Sequence, residues 1–165
     1  PVSYDPILKN GVLIYGHNKK IRAVFLKADI GKEKLPFSAN FFDSAIFIST
    51  LHCIETAKER EKALSELFRV MKKNGEAMIT VWKKEEMIKA WNNQKVIDLD
   101  FNVLTTKETF VNWKKGGVNY QRYYYFYDEK ELENLLRKVG FKILKSIKQD
   151  SAHSNKNIVV YVQKK

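Results

Sequence analysis

Between Glu108 and Leu136 the chain reads ETFVNWKKGGVNYQRYYYFYDEKELENLL. This stretch gathers Trp113, Lys114, Lys115, Gly116, Gly117, Arg122 and the aromatic run Tyr123 to Tyr127 just ahead of a helix-like segment. Aromatic faces stack on bases and cations neutralise phosphates, so the combination points to a nucleic-acid ligand. Arg122 is the strongest single candidate for ligand contact, because a guanidinium grips a carboxylate or phosphate with two parallel hydrogen bonds. Its plainer reading is a surface ion pair. The aromatic run cannot serve a ligand as a whole: in an extended segment about half its rings face the core. His17 and His153 have no carboxylate or cysteine companions at metal-ligand spacing, so no metal site is expected.

The elements that would position these residues belong to an α/β domain. Val12 to Tyr15 is a short apolar run closed by Gly16, and Ala23 to Ala28 is another, ending at Asp29; both read as strands. Ser44 to Ser49 is apolar on both faces, as in a strand covered on both sides. Ala57 to Lys73 repeats Arg60, Leu64, Leu67, Phe68 and Met71 at helical spacing and stops at Asn74-Gly75. Its charges Lys58, Glu59, Arg60, Glu61 and Lys62 read most simply as a solvated face. Glu76 to Trp82 is the next strand, which makes Ser44 to Trp82 a β-α-β unit with parallel strands. Asp128 caps a further helix with Glu131 three residues on, and Leu132, Leu135, Leu136 and Val139 form its buried face up to Gly140. Phe141 to Ile147 and Ile158 to Val162 read as a terminal antiparallel pair. Lys83 to Phe110 has no clear periodicity beyond a helical turn at Met87 to Trp91. The expected organisation is one domain over 1–165, with 83–127 as an insertion on the substrate side.

Composition narrows the partners. Thirty basic against 19 acidic residues give a net charge of +11 and a pI near 9.6. Such an excess favours polyanions, although a generally solvated lysine-rich surface explains it equally well. Cys53 is the single cysteine, which excludes an internal disulfide and fits a reducing, cytoplasmic setting. It reads as a small core residue. No apolar run approaches the roughly 18 residues of a membrane span.

The segment KADIGKEKLPFSANFFDSAIFISTLHCIETAKEREKALSELFRVMKKNGEAMITVW resembles the class I S-adenosylmethionine-dependent methyltransferases. The matching pieces are Asp29, Leu35-Pro36-Phe37, Phe42-Asp43, the strand to Ser49, and Asn74-Gly75. FVNWKKGGVNYQRYYYFYDEKELENLL, LHCI and ITVWKKEE narrow the resemblance to the tRNA wobble-uridine carboxymethyl methyltransferases, over roughly residues 12 to 162. The resemblance implies a Rossmann-like fold: a mostly parallel sheet with a C-terminal antiparallel pair, here lacking part of the N-terminal half. It implies S-adenosylmethionine as cofactor, tRNA as partner, and 5-carboxymethyluridine or its 2-thio form as substrate, with the methyl ester as product. It also makes a small zinc-binding activator subunit a candidate partner.

By the same resemblance, Gly16, Asn18, Asp29, Ile30, Ser49 and His52 would line the cofactor site. Trp113, Lys114, Lys115, Arg122, Tyr123 and Tyr125 would meet substrate. Trp113 or Tyr123 would stack on the wobble base and the lysines would meet phosphates. The bland alternatives are a turn cap for Asp29 and a structural histidine for His52. The departures are specific. The family's GxGxG loop is absent, and two alignments remain: VLIYGHN is the second strand, with Asn18 in place of the acid that holds the ribose, or VLIYGHNKK is a degenerate first strand. Under the former alignment, the helix that usually follows is largely missing. Cys53 stands where the family has a second histidine, and Tyr125 where it has a histidine in the tyrosine run.

A carboxylate nucleophile is ionised at neutral pH, since its ordinary pKa is about 4. No catalytic base is therefore expected, only in-line placement against a methyl donor in a dry site. Two other functions fit the same residues: a non-catalytic RNA-binding or scaffold subunit that lost the cofactor, and a small-molecule methyltransferase with an aromatic roof.

Overall fold

The computed structural model describes residues 12–15, 21–24, 26–83, 107–115, 117–148 and 157–165. Helix α1 (Ala57–Val70) begins where the Thr56 side chain accepts the Glu59 amide at 3.1 Å. It ends three residues before the expected Lys73. The reason is long-range: the buried ammonium of Lys164 takes the Met71 carbonyl at 2.8 Å and the Asn40 side chain at 2.9 Å. A cation at a helix C-terminus satisfies carbonyls the helix leaves open. The chain therefore turns directly into strand β4 (Met71–Trp82).

Strand β3 (Phe42–Ile48) pairs with β4 in parallel, so the expected β-α-β unit is present. Beyond it, β7 (Phe141–Lys148) and β8 (Asn157–Lys164) complete a sheet of order β3-β4-β8-β7. β8 runs antiparallel to both its neighbours. Three of the four strands thus share one direction, the α/β arrangement expected. Helix α2 (Glu129–Val139) directly precedes β7 in the chain and is capped by Asp128, whose Oδ1 accepts the Glu131 amide at 2.8 Å. It stops at Gly140, whose φ of +115° is open to glycine at little cost.

One face of the sheet is closed by the two helices. Ala77, Ile79 and Val81 of β4 and Ile158, Val160 and Val162 of β8 bury themselves against Leu64 and Leu67 of α1 and Leu132 and Leu136 of α2. The period of two along each strand meets the helical stripes there. The other face differs from expectation. Ile46 is 72% exposed and Ile48 49%, so among the described residues β3 is covered on one side only.

The N-terminal strands also depart from the sequence reading. β1 (Val12–Tyr15) and β2 (Ile21–Val24) form a separate antiparallel pair, Val12 opposite Val24 and Tyr15 opposite Ile21. The strand expected over Ala23 to Ala28 gives way to β2, and residues 26–29 carry no strand. A parallel connection needs a crossover of about a dozen residues or more. The short link from Tyr15 to Ile21 permits only a hairpin.

Strands β5 (Glu108–Lys115) and β6 (Val118–Tyr125) make a second antiparallel hairpin. Its turn includes Gly117, at φ +80°. Two glycines between extended segments are a recognisable hairpin signal. The helical turn expected at Met87 to Trp91 lies outside the described residues.

Candidate active site at the strand ends

Ligands of open α/β sheets bind at the carboxyl ends of the parallel strands. Here those ends are Ser49 after β3 and Trp82 closing β4. Ser49 has a φ of +52°, a conformation that costs a non-glycine residue about 1–3 kcal/mol. It is held there by its amide, which donates to Thr80 Oγ1 at 3.0 Å. The chain then makes a 3-10 turn over Leu51–Cys53 before entering α1. This crest meets the Asp29-Ile30-Gly31 turn: a Cβ added at Gly31 would sit 3.3 Å from the side chains of Ile54 and Glu59. Asp29, Ile30, Ser49 and His52, assigned together from sequence, thus lie on adjoining loops.

Their local roles are mixed. Asp29 is exposed, and its Oδ1 accepts the Gly31 amide at 3.1 Å, the turn-capping role weighed against ligand contact. Its other oxygen lies 3.6 Å from Lys32 Nζ. Ile30 packs against the core. His52 is only 1% exposed, and its Nδ1 accepts the Trp82 amide at 3.2 Å. Burial lowers its pKa to about 4, so the imidazole is neutral at physiological pH. Its ring stacks near Trp82 at 4.9 Å and near Tyr124 at 5.7 Å, and Trp82 and Tyr124 are almost parallel at 4.5 Å. Cys53 is half-buried; burial pushes its thiol pKa up, and the nearby Arg122 charge opposes that. Arg122 is exposed on the neighbouring hairpin, and its charge reaches the Cys53 thiol. Gly16 and Asn18 lie outside the described residues. Trp113, Lys114 and Lys115 are placed by backbone register only, with Trp113 opposite Tyr120 and Lys115 opposite Val118.

The aromatic run departs from simple alternation. Tyr123, Tyr124, Phe126 and Tyr127 are all buried and Tyr125 is half-buried. Tyr123 and Tyr125 are engaged inside the fold. The Tyr123 hydroxyl lies 3.2 Å from Arg60 Nη1, and the Tyr125 hydroxyl donates to Glu131. Burial, with Glu131 beside it, pushes the Tyr125 pKa up to about 12. Glu131 in turn holds Lys107 at 2.6 Å, and that contact raises the lysine's pKa. These rings have packing partners in place of an open face for a base.

Two residues outside the sequence assignment stand out. Arg60 is 4% exposed, not part of a solvated face. Its Nη1 lies 2.9 Å from the Ile54 carbonyl and 2.7 Å from the Glu55 carbonyl, and its guanidinium carbon sits 3.9 Å above the Tyr125 ring. The signal was available, since Arg60 falls in register with Leu64 and Leu67 on the apolar stripe. Tyr120 is the other: it is 53% exposed on the hairpin, two residues before Arg122.

Comparison with known proteins bears on the fold. The methyltransferase-domain family profile matches residues 10–79. A S-adenosylmethionine-dependent methyltransferase from Methanosarcina mazei superposes with a TM-score of 0.59 at 23% identity, over 79% of this chain and 62% of that one. The fold is that of the class I S-adenosylmethionine-dependent methyltransferases. Within that class, the chain resembles the tRNA carboxymethyluridine methyltransferases. It is 46% identical to the tRNA (carboxymethyluridine(34)-5-O)-methyltransferase of Arabidopsis thaliana over 52 residues, 32% of this chain and 13% of that protein. It is 25% identical to the Schizosaccharomyces pombe enzyme of the same name over 155 residues, 81% of this chain and 66% of that protein. The chain therefore spans less than two thirds of either relative. Among the described residues no helix is long and apolar enough to cross a membrane.

Proposed function

We propose that this chain carries out, or forms part of a protein that carries out, S-adenosylmethionine-dependent methylation of the carboxylate of 5-carboxymethyluridine at the tRNA wobble position. The observation that carries this reading is the resemblance to the S. pombe enzyme over 81% of the chain, which takes in both the crest after β3 and the β5–β6 hairpin. The crest and the adjoining turn fit the cofactor in their donor set: an exposed carboxylate at Asp29 for an amino group, an apolar flank at Ile30, and the exposed Ser49 at the end of β3. Bound S-adenosylmethionine would supply an electrophilic methyl group. Arg122 would hold the substrate's carboxylate or a neighbouring phosphate beside the crest. Tyr120 is the exposed ring best placed to stack on a base. A neutral, buried His52 with Nδ1 already accepting a hydrogen bond suits a reaction in which no proton is removed. The net charge of +11 suits a tRNA partner.

A zinc-binding activator subunit remains a partner suggested by the family resemblance. The non-catalytic RNA-binding reading is favoured by one feature: β1 and β2 pair antiparallel and so offer no strand-end crevice for the methionine part of the cofactor.

Calorimetric titration with S-adenosylhomocysteine, followed by methyl transfer to an anticodon stem-loop carrying 5-carboxymethyluridine, separates the two. Binding and transfer to that stem-loop, with none to an unmodified uridine control, are expected. A folded protein that binds the stem-loop but not S-adenosylhomocysteine would leave only the scaffold role.

A further inference from the structure

Among the described residues, the buried guanidinium of Arg60 bridges two structures that the sequence separates widely. On one side are the carbonyls of Ile54 and Glu55, which end the crest leading from Ser49 into α1. On the other are the Tyr123 hydroxyl and the Tyr125 ring, at the root of the hairpin that carries Tyr120 and Arg122. The crest amides of Cys53 and Ile54 are themselves closed by local bonds to Thr50 and Leu51, at 2.9 and 3.3 Å. The start of the crest is pinned to β4, by the Ser49 amide on Thr80 and by His52 Nδ1 on the Trp82 amide, and Arg60 fixes its far end. Charge-assisted bonds from a buried guanidinium are stronger than neutral ones, and their planar geometry constrains direction as well as distance.

We propose that Arg60 is a positioning residue that locks the crest after β3 to the root of the β5–β6 hairpin, so that the two halves of the site are held in one register. The claim about what those halves bind rests on the function proposed above; the mechanical coupling does not. Arg60 touches no reacting atom in this scheme. It sets the distance between a methyl donor at the crest and a substrate gripped by the hairpin, and proximity effects are sensitive to displacements of about 1 Å.

The test compares Tyr123→Phe, which removes only the hydroxyl on the hairpin side, with Arg60→Met. Amide hydrogen exchange is read at Cys53 and Ile54, at Phe126 (whose amide donates to Lys107) and in the β4–β8 ladder. Tyr123→Phe is expected to speed exchange at Cys53 and Ile54 about threefold, and Arg60→Met about tenfold at both crest and hairpin root, with the ladder unchanged. Uniform acceleration that includes the ladder would make Arg60 a stability residue only and overturn the proposal. So would acceleration confined to the hairpin. In methyl transfer, Tyr123→Phe should lower kcat about fivefold with KM for S-adenosylmethionine unchanged; an unaltered kcat would also overturn it. Absence of transfer by the unmodified protein would defeat the proposed function, while the exchange measurements would still decide the coupling.

Discussion

The root and the tip of strand β6 are made of similar residues and do opposite things. At the root, Tyr124 is 2% exposed and stacks against Trp82 and His52, while Tyr123 and Tyr125 close on Arg60 and Glu131. Towards the tip, Tyr120, Val118 and Arg122 are exposed. Tyrosine occurs at both ends, and the arginine at the root is Arg60, supplied by α1. Whether a ring packs or recognises depends on which strand end it reaches, not on its type. The root is an anchor, and the exposed rings and charges lie past it.

Truncation at the root should cost most. Tyr124→Ala removes a fully packed ring and is expected to lower stability by about 3–5 kcal/mol in urea unfolding, whereas Tyr120→Ala should stay within about 0.5 kcal/mol. Equal losses would erase the distinction between root and tip.

The next effect is a pH dependence seated at the root. His52 has its pKa lowered to about 4 by burial, below the ordinary 6.5. The unfolded chain therefore binds a proton that the folded chain excludes, and stability falls as pH drops from about 6.5 to about 4. The full span is on the order of 3 kcal/mol and levels off below the folded value. Urea midpoints measured across that range should show it, and His52→Gln should flatten it. An unchanged slope in that variant would place the titration elsewhere.

A smaller loss is expected where the root joins α2. Asp128→Ala removes the side chain that caps the helix, at a cost of about 1 kcal/mol. Thermal unfolding should register it as a modest drop in Tm, well short of Tyr124→Ala. The smallest effect on stability should come from the tip. Arg122→Ala is expected to change unfolding by less than about 0.5 kcal/mol while weakening tRNA binding and lowering the salt slope by about 1. A stability loss like that at the root would mean Arg122 is structural after all.

Much of the helix-covered half was legible from local pattern. The apolar stripe of α1, the Asp128 cap, the Leu132–Leu136 face and the β-α-β connection all follow from spacings of two, three or four residues, and each appears in the structure. The β5–β6 hairpin was not expected from the sequence, although two consecutive glycines between extended segments carry that signal. The strand expected over Ala23 to Ala28 gave way to β2, Ile21–Val24, because the short link from Tyr15 to Ile21 folds the two strands into a hairpin. The solvated reading of Arg60 failed because its charge outweighed its place on the apolar stripe.

By itself the sequence determined the class of fold, the order of its elements and the concentration of cations and aromatics before α2. Those are properties of neighbouring residues. The tertiary structure alone decided which aromatics are spent on packing, that His52 is a buried acceptor, and that Arg60 faces Tyr123. That last pair is 63 residues apart. Periodicity reports which side of an element is apolar, but what the side meets is fixed by sheet register and by the path of the chain between elements.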